Sequence, residues 1–166
     1  MLTADLILDK EDFKFSAGHF TIFSERDREN LHGHNFRVRA RVECALGENG
    51  MAFDYNVVKR AVRSLCAELD EIVLLPGKSP HMEVTETPEM VVARFADERL
   101  VFLPRDVKVL PLPNITVECL AAYLADRLSK QLREAGGESV GRVQVGVSSG
   151  PGQTGEVTIP SAPRTP

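Results

Sequence analysis

Residues 31–46, LHGHNFRVRARVECAL, alternate more strictly than any other stretch of the chain. Phe36, Val38, Ala40, Val42 and Cys44 share one parity, and Arg37, Arg39, Arg41 and Glu43 share the other. Only an extended backbone separates such residues cleanly, because its side chains point to opposite faces in turn. The segment therefore predicts one long strand with core on one side and charge on the other. Residues 12–19 repeat the pattern, with Phe13, Phe15, Ala17 and His19 against Lys14, Ser16 and Gly18. The connection 20–31 contains SERDREN, too polar for a core, and it exceeds ordinary hairpin length. Loops of that kind often carry function.

After the break at Gly47-Glu-Asn-Gly50, Asp54 is a good N-cap for a helix over 55–71, where Val58, Val62, Leu65, Leu69 and Ile72 form one apolar stripe. Leu74-Leu75-Pro76-Gly77 through Pro80 reads as a loop. Short strands near 90–95 and 99–103 form a small inserted hairpin, and Pro104, Pro111 and Pro113 mark irregular chain. A second helix over 117–134 starts at Thr116 or Asn114. It buries Val117, Leu120, Leu124 and Leu128, with Ala121 beside them, and ends at the Gly136-Gly137 pair. Strands follow at 140–148 and 156–159. The order predicts an α+β fold, an antiparallel sheet with two helices packed on one face. One domain over 1–160 and a disordered tail over 161–166 are expected.

Composition narrows the function. With 43% hydrophobic and 27% charged residues, the 166-residue chain has material for one core. A net charge of −4 speaks against a generally basic nucleic-acid binder. No apolar run approaches the roughly 20 residues of a membrane span, and the start MLTADLILDKEDF lacks the regions of a signal peptide. Cys44, Cys66 and Cys119 are odd in number, widely spaced and free of any CxxC, so they read as reduced thiols of a cytoplasmic protein.

Three of the four histidines fall within residues 19–34. His32 and His34 share one face of an extended chain, the face continued by Phe36 and Val38. His19 ends the apolar face of the preceding strand. If the two strands pair, three imidazoles converge. Three neutral imidazoles with an open fourth position make a catalytic zinc arrangement. An isolated histidine is more often structural, and H-x-H alone is a weak signal; the convergence gives it weight. His81, after Pro80, reads as a surface residue.

The strings FSAGHF and LHGHNFRVRARV resemble the 6-pyruvoyltetrahydropterin synthase family, which includes the 6-carboxytetrahydropterin synthases. MAFDYNVVKRAV, LDEIVLL and PLPNITVECLAAYL are similar to three further family segments, in the same order. The resemblance implies the tunnelling fold, assembly into homo-oligomers, commonly hexamers, with sites at subunit interfaces, and a pterin substrate. It implies that His19, His32 and His34 hold zinc, which in the family binds the side-chain oxygens of 7,8-dihydroneopterin triphosphate. A Lewis acid there acidifies a hydroxyl and stabilises developing enolate charge.

The chain departs from the family at three places. The catalytic cysteine belongs four residues before the first histidine of H-G-H, where this chain has Arg28. Glu29 instead gives E-N-L-H-G-H, resembling a branch in which glutamate replaces cysteine and the side chain is cleaved to 6-hydroxymethyl-7,8-dihydropterin for folate synthesis. Outside that motif Glu29 is one charge among five in ERDRE. Asp70-Glu71 stands where the family has Asp-His, so Glu71 takes the place of the acid/base histidine; the plain alternative is that both acids decorate a helix end, where the dipole disfavours them. In VQVGVSSGPGQTGEV the glutamate that anchors the pterin's amino-pyrimidine edge aligns with Ser149, while Glu156 lies seven residues on. A serine cannot accept two parallel hydrogen bonds as a carboxylate does. Thr116 and Glu118 match a second pterin-contacting segment.

The expectation is thus a zinc-dependent pterin lyase with Glu29 as base, Asp70 and Glu71 in support, and Thr116 and Glu118 holding substrate. The alternatives are a divergent or non-catalytic family member that binds metal and another ligand, or a lyase acting on a modified pterin or a carbonyl compound.

Overall fold

The computed structural model describes residues 2–136 and 139–161. Gly137 of the expected helix stop and residues 162–166 of the expected tail lie outside the described residues. The long alternating strand is β3 (His32–Ala45), and its buried parity is the one carrying Phe36, Val38, Ala40, Val42 and Cys44. Two strands share one of its edges end to end. β1 (Thr3–Leu8) pairs antiparallel with 40–45 and β2 (Lys14–His19) with 32–37. Between them the chain turns at 9–13, and Val38 N–H donates to the Phe13 carbonyl at 2.8 Å. β1 is too short for its alternation of Leu6 and Leu8 to stand out in sequence.

Helix α1 (Tyr55–Ala67) starts where Asp54 accepts a hydrogen bond from Asn56 N–H at 2.8 Å. It stops four residues before the expected end. Glu68 closes it, its carboxylate taken by Arg127 and Lys108. Glu71 then adopts φ +57°, which turns the chain into β4 (Ile72–Pro76). β4 corrects the expected loop at 74–80. It runs parallel to β2 through Ala17–Ile72 and Gly18–Val73, and parallel to β8 (Val107–Leu110), which corrects the irregular chain expected after Pro104. Leu74, Leu75 and Pro76 are all buried, so no alternation marked the strand. The main sheet is accordingly mixed, in the order β10 (Gln153–Ile159), β9 (Val140–Gly150), β3, β2, β4, β8, with β1 beside β3.

The inserted hairpin is a three-stranded antiparallel sheet of β5 (Met82–Glu86), β6 (Val91–Phe95) and β7 (Glu98–Phe102). Its apolar face closes a second core with Phe20, Ile22 and Leu75. Helix α2 (Val117–Gly136) and the antiparallel pair β9 (Val140–Gly150) and β10 (Gln153–Ile159) complete the chain. The main core lies between the helices and one sheet face. Phe13, Phe15, Phe36, Val58, Leu65, Leu120, Leu124, Leu128, Val143, Val145 and Val147 fill it. Gly155 of β10 sits directly on the first turn of α2, where a Cβ would lie 2.7 Å from Glu118 N. Among the described residues no helix is long and apolar enough to cross a membrane.

Candidate metal centre and its neighbouring carboxylates

The β2–β3 register fixes the histidines. His19 ends β2 opposite His32, the first residue of β3, and His34 lies opposite Ala17 on the same inner face. The three rings stand 4.7, 5.2 and 4.8 Å apart by centroid. One nitrogen from each falls within 4.8 Å of the others.

Hydrogen bonds aim the rings. His19 Nδ1 lies 2.8 Å from the Ile115 carbonyl and His32 Nδ1 lies 2.7 Å from the Asn30 carbonyl. A carbonyl only accepts, so each Nδ1 carries the proton and each Nε2 presents a lone pair. His19 Nε2 is buried without any partner, and His32 Nε2 and His34 Nε2 face each other at 3.0 Å. An orphaned buried acceptor beside two converging ones costs stability in an empty pocket and is satisfied by a cation. Burial holds His19 below the ordinary imidazole range, and His32 and His34 add to this against the opposing Ile115 contact. The neutral, ligating form is therefore favoured. The residues fit a three-nitrogen metal site.

Glu29 lies beside it. Its Oε2 is 4.0 Å from His32 Nε2 and accepts from Thr21 N–H at 2.9 Å. Glu29 N–H in turn donates to the Thr21 carbonyl at 2.9 Å. Partial burial raises the carboxyl, but the Thr21 hydrogen bonds and the field of His32 and His19 outweigh it and hold Glu29 below the ordinary carboxylate range. The ionised form is thereby favoured.

The other acids are elsewhere in the chain. Asp70 Oδ1 accepts from Ser16 N–H at 2.7 Å, and Glu71 N–H donates to the Ser16 carbonyl at 2.7 Å. Both side chains are exposed. Glu71 lines a groove of about 450 Å³ with Ser16, Gly18, Gly33, Asn35 and Asp106, and Ala17 and His34 also border it. Ser16, Gly18, Gly33 and Asn35 alternate with the histidines along β2 and β3, so their side-chain positions belong to the opposite sheet face. The chain alone does not bring Asp70 and Glu71 to the histidines.

Thr116 Oγ1 caps α2 by accepting from Cys119 N–H at 3.2 Å, and Glu118 is exposed in the first turn. Ser149 is half-buried and falls at the register shift between β9 and β10, between Ser148 opposite Thr154 and Gly150 opposite Gln153. Glu156 is engaged in an ion pair of its own. It lies on the outer face, where Arg39 Nη2 donates at 2.6 Å and Gln144 Nε2 at 2.6 Å. Cys44 and Cys66 are core thiols pushed up by burial to about 11 and about 12, and Cys119 lies in α2; none belongs to the metal-competent group. His81 is exposed, as expected.

Sequence reasoning missed Thr21 and the tether at Asn114. Asn114, read only as a possible cap, pinches Ile22 through both backbone groups, at 3.1 Å to N–H and 2.8 Å to the carbonyl. Its neighbour Ile115 aims His19. The similarity of PLPNITVECLAAYL to a family segment was the available signal.

The comparisons agree with this architecture. The family model described as 6-pyruvoyl tetrahydropterin synthase matches residues 8–158. A Pyrococcus abyssi protein with the provisional name 6-carboxy-5,6,7,8-tetrahydropterin synthase is 30% identical over 153 residues, 91% of this chain and 89% of its own length. A Methanocaldococcus jannaschii protein of the same provisional name is 27% identical over 142 residues, 84% of this chain and 86% of its own. The crystal structure of 6-pyruvoyl tetrahydropterin synthase from Plasmodium vivax superposes with a TM-score of 0.89 at 27% identity, covering 96% of this chain and 99% of that one. The Plasmodium vivax protein is also known with its catalytic residue, a glutamate, replaced by alanine or cysteine. Its fold, its histidine hairpin and the match over nearly its whole length place the chain in the 6-pyruvoyl tetrahydropterin synthase family, to which it belongs.

Proposed function

We propose that the protein is a zinc-dependent pterin lyase acting on 7,8-dihydroneopterin triphosphate or a close relative, cleaving its side chain towards 6-hydroxymethyl-7,8-dihydropterin. The observation that carries this reading is the ionised Glu29 carboxylate 4.0 Å from His32 Nε2, with no cysteine in the group. The Plasmodium vivax relative, whose catalytic residue is a glutamate, supports it.

His19, His32 and His34 would hold the zinc, which when bound would supply a Lewis acid for a substrate hydroxyl. Glu29 takes the proton of the side-chain hydroxyl next to the bond that breaks. That oxygen becomes the carbonyl of the departing two-carbon fragment. The bonding pair passes to the carbon left on the pterin ring, where Glu29 returns the proton. Such proton transfer is worth about 10²–10⁴ in rate. The Thr21 hydrogen bonds favour the charged carboxylate at the start of the cycle.

Thr116 and Glu118, at the start of α2, hold the substrate. Asp70 and Glu71 face away from their own histidines, so their part is played at the histidines of a second copy. That arrangement accords with a homo-oligomer, a hexamer by the family's habit, working in the cytoplasm.

The test is to incubate the zinc-loaded protein with dihydroneopterin triphosphate and weigh the products. The hydroxymethyl product is expected. A pyruvoyl or carboxy product, or none with zinc bound, overturns the reading.

A further inference from the structure

Arg28 stands at the family's cysteine position but points away from the histidines. Its largely buried side chain lies over Phe20, 4.8 Å from the ring centroid, and 5.8 Å from that of Phe95. Nε donates to Glu98 Oε2 at 2.7 Å, and Nη2 donates to the same oxygen. Nη1 donates to the Glu29 carbonyl at 2.8 Å. Phe20 and Phe95 belong to the small core that joins the 20–31 connection to the inserted sheet, and Glu98 opens β7 of that sheet. The main chain adds an isolated bridge between Ile22 and Arg28.

We propose that Arg28 is a positioning residue for Glu29, and that the inserted three-stranded sheet is the mount it works from. The proposal rests on the reading of Glu29 as the base. Glu29 is gripped at three points: Thr21 takes its N–H and its carboxylate, and Arg28 takes its carbonyl. Only the last grip leads out of the loop. It transmits the position of the inserted sheet, through Glu98, to the backbone of the residue that moves the proton. A planar guanidinium suits the task, because one fork can stack on aromatic rings, engage a carboxylate and reach a carbonyl at once; a lysine ammonium cannot. Placement matters because a small misplacement of a reacting group costs rate out of proportion to the energy involved.

The test uses the zinc-loaded protein with Arg28→Met, Arg28→Lys and Glu98→Gln; the last alters a half-exposed side chain and keeps the test open if Arg28→Met does not fold. Two readouts are followed. The first, independent of turnover, is hydrogen exchange of the Thr21 amide, which donates to Glu29 Oε2. It is expected to quicken about tenfold in Arg28→Met and Glu98→Gln, as local opening becomes easier. The second is kinetic: kcat falls about tenfold with KM changed less than about twofold, Arg28→Lys falls between, and Arg28→Met has no further effect in a Glu29→Gln background. Unchanged Thr21 exchange overturns the proposal. So does a loss of kcat that persists in full when Glu29 is already glutamine, because Arg28 then acts on something else. Should Glu29→Gln itself keep full turnover, the reading of Glu29 falls, and the exchange measurement alone decides whether Arg28 and the inserted sheet hold that backbone.

Discussion

Glu29 and Glu71 are both carboxylates ahead of a β-strand, Glu29 in the 20–31 connection before β3 and Glu71 directly before β4, and the fold treats them in opposite ways. Glu29 sits on the inner face beside His32, with Thr21 on its carboxylate and Arg28 on its carbonyl. Glu71 sits exposed over the outer face, in a left-handed backbone conformation at φ +57°. One is stabilised where it stands; the other is held at a cost by its surroundings. The difference teaches that the metal-competent histidines are local to one hairpin, whereas Asp70 and Glu71 are presented outward.

The largest effect comes from taking away what Glu29 stands beside. His32→Ala removes one of three nitrogens and leaves His34 Nε2 without its neighbour at 3.0 Å. Zinc affinity is expected to fall by more than about 100-fold, since loss of supporting groups alone costs about 10–100-fold. Titration calorimetry and metal analysis of the dialysed protein check this; retention of stoichiometric zinc places the metal elsewhere.

Glu29→Gln keeps the shape and loses the base. Turnover is expected to drop by about 10²–10⁴ with zinc content unchanged. Glu71→Gln is expected to cost less, about tenfold, as befits an assisting group. The comparison sharpens in mixtures. If Glu71 serves the histidines of another copy, reassembling Glu71→Gln chains with Glu29→Gln chains regenerates some sites that carry both acids. Recovered activity above the sum of the separate variants supports the outward role. No recovery leaves Glu71 as a turn residue.

The backbone of Glu71 offers a smaller and independent effect. A non-glycine residue in a left-handed conformation costs of order 1–3 kcal/mol, and glycine removes that cost while losing more chain entropy on folding. Glu71→Gly is therefore expected to raise stability by about 1 kcal/mol in urea titration while lowering turnover. A variant that is no more stable shows that the turn is unstrained.

The hairpin was legible in sequence because alternation is a local property. His19, His32 and His34 share a face with Phe15 and Phe36, and once the strands pair, a one-residue slip would turn one apolar face outward. β4 was not legible, because Leu74, Leu75 and Pro76 are buried together in a parallel strand and show no period. The third strand of the insert escaped for a different reason: Met82–Glu86 buries only Met82 and half-buries Val84. For the site, the motif named Glu29, but nothing in one dimension tells that Asp70 reaches Ser16 rather than an imidazole. That contact spans 54 residues and meets the backbone edge of β2.

The smallest expected effect separates the two parts of the inner site by pH. His19 has its folded pKa below the ordinary 6.5, chiefly through burial. The unfolded chain then binds a proton that the folded chain refuses, so metal-free protein loses stability as pH falls below about 6.5. Glu29 is held below 4.5, burial opposing and the Thr21 hydrogen bonds and His32 prevailing. Its contribution is present above that value and is lost as pH falls through the lowered one. Urea midpoints of the metal-free protein between pH 8 and 3 should show two acid limbs in that order. His19→Gln flattens the upper limb and Glu29→Gln the lower. Saturating zinc steepens the upper limb, because protons and metal compete for the same nitrogens. An upper limb that zinc leaves unaltered separates the titrating imidazole from the metal site.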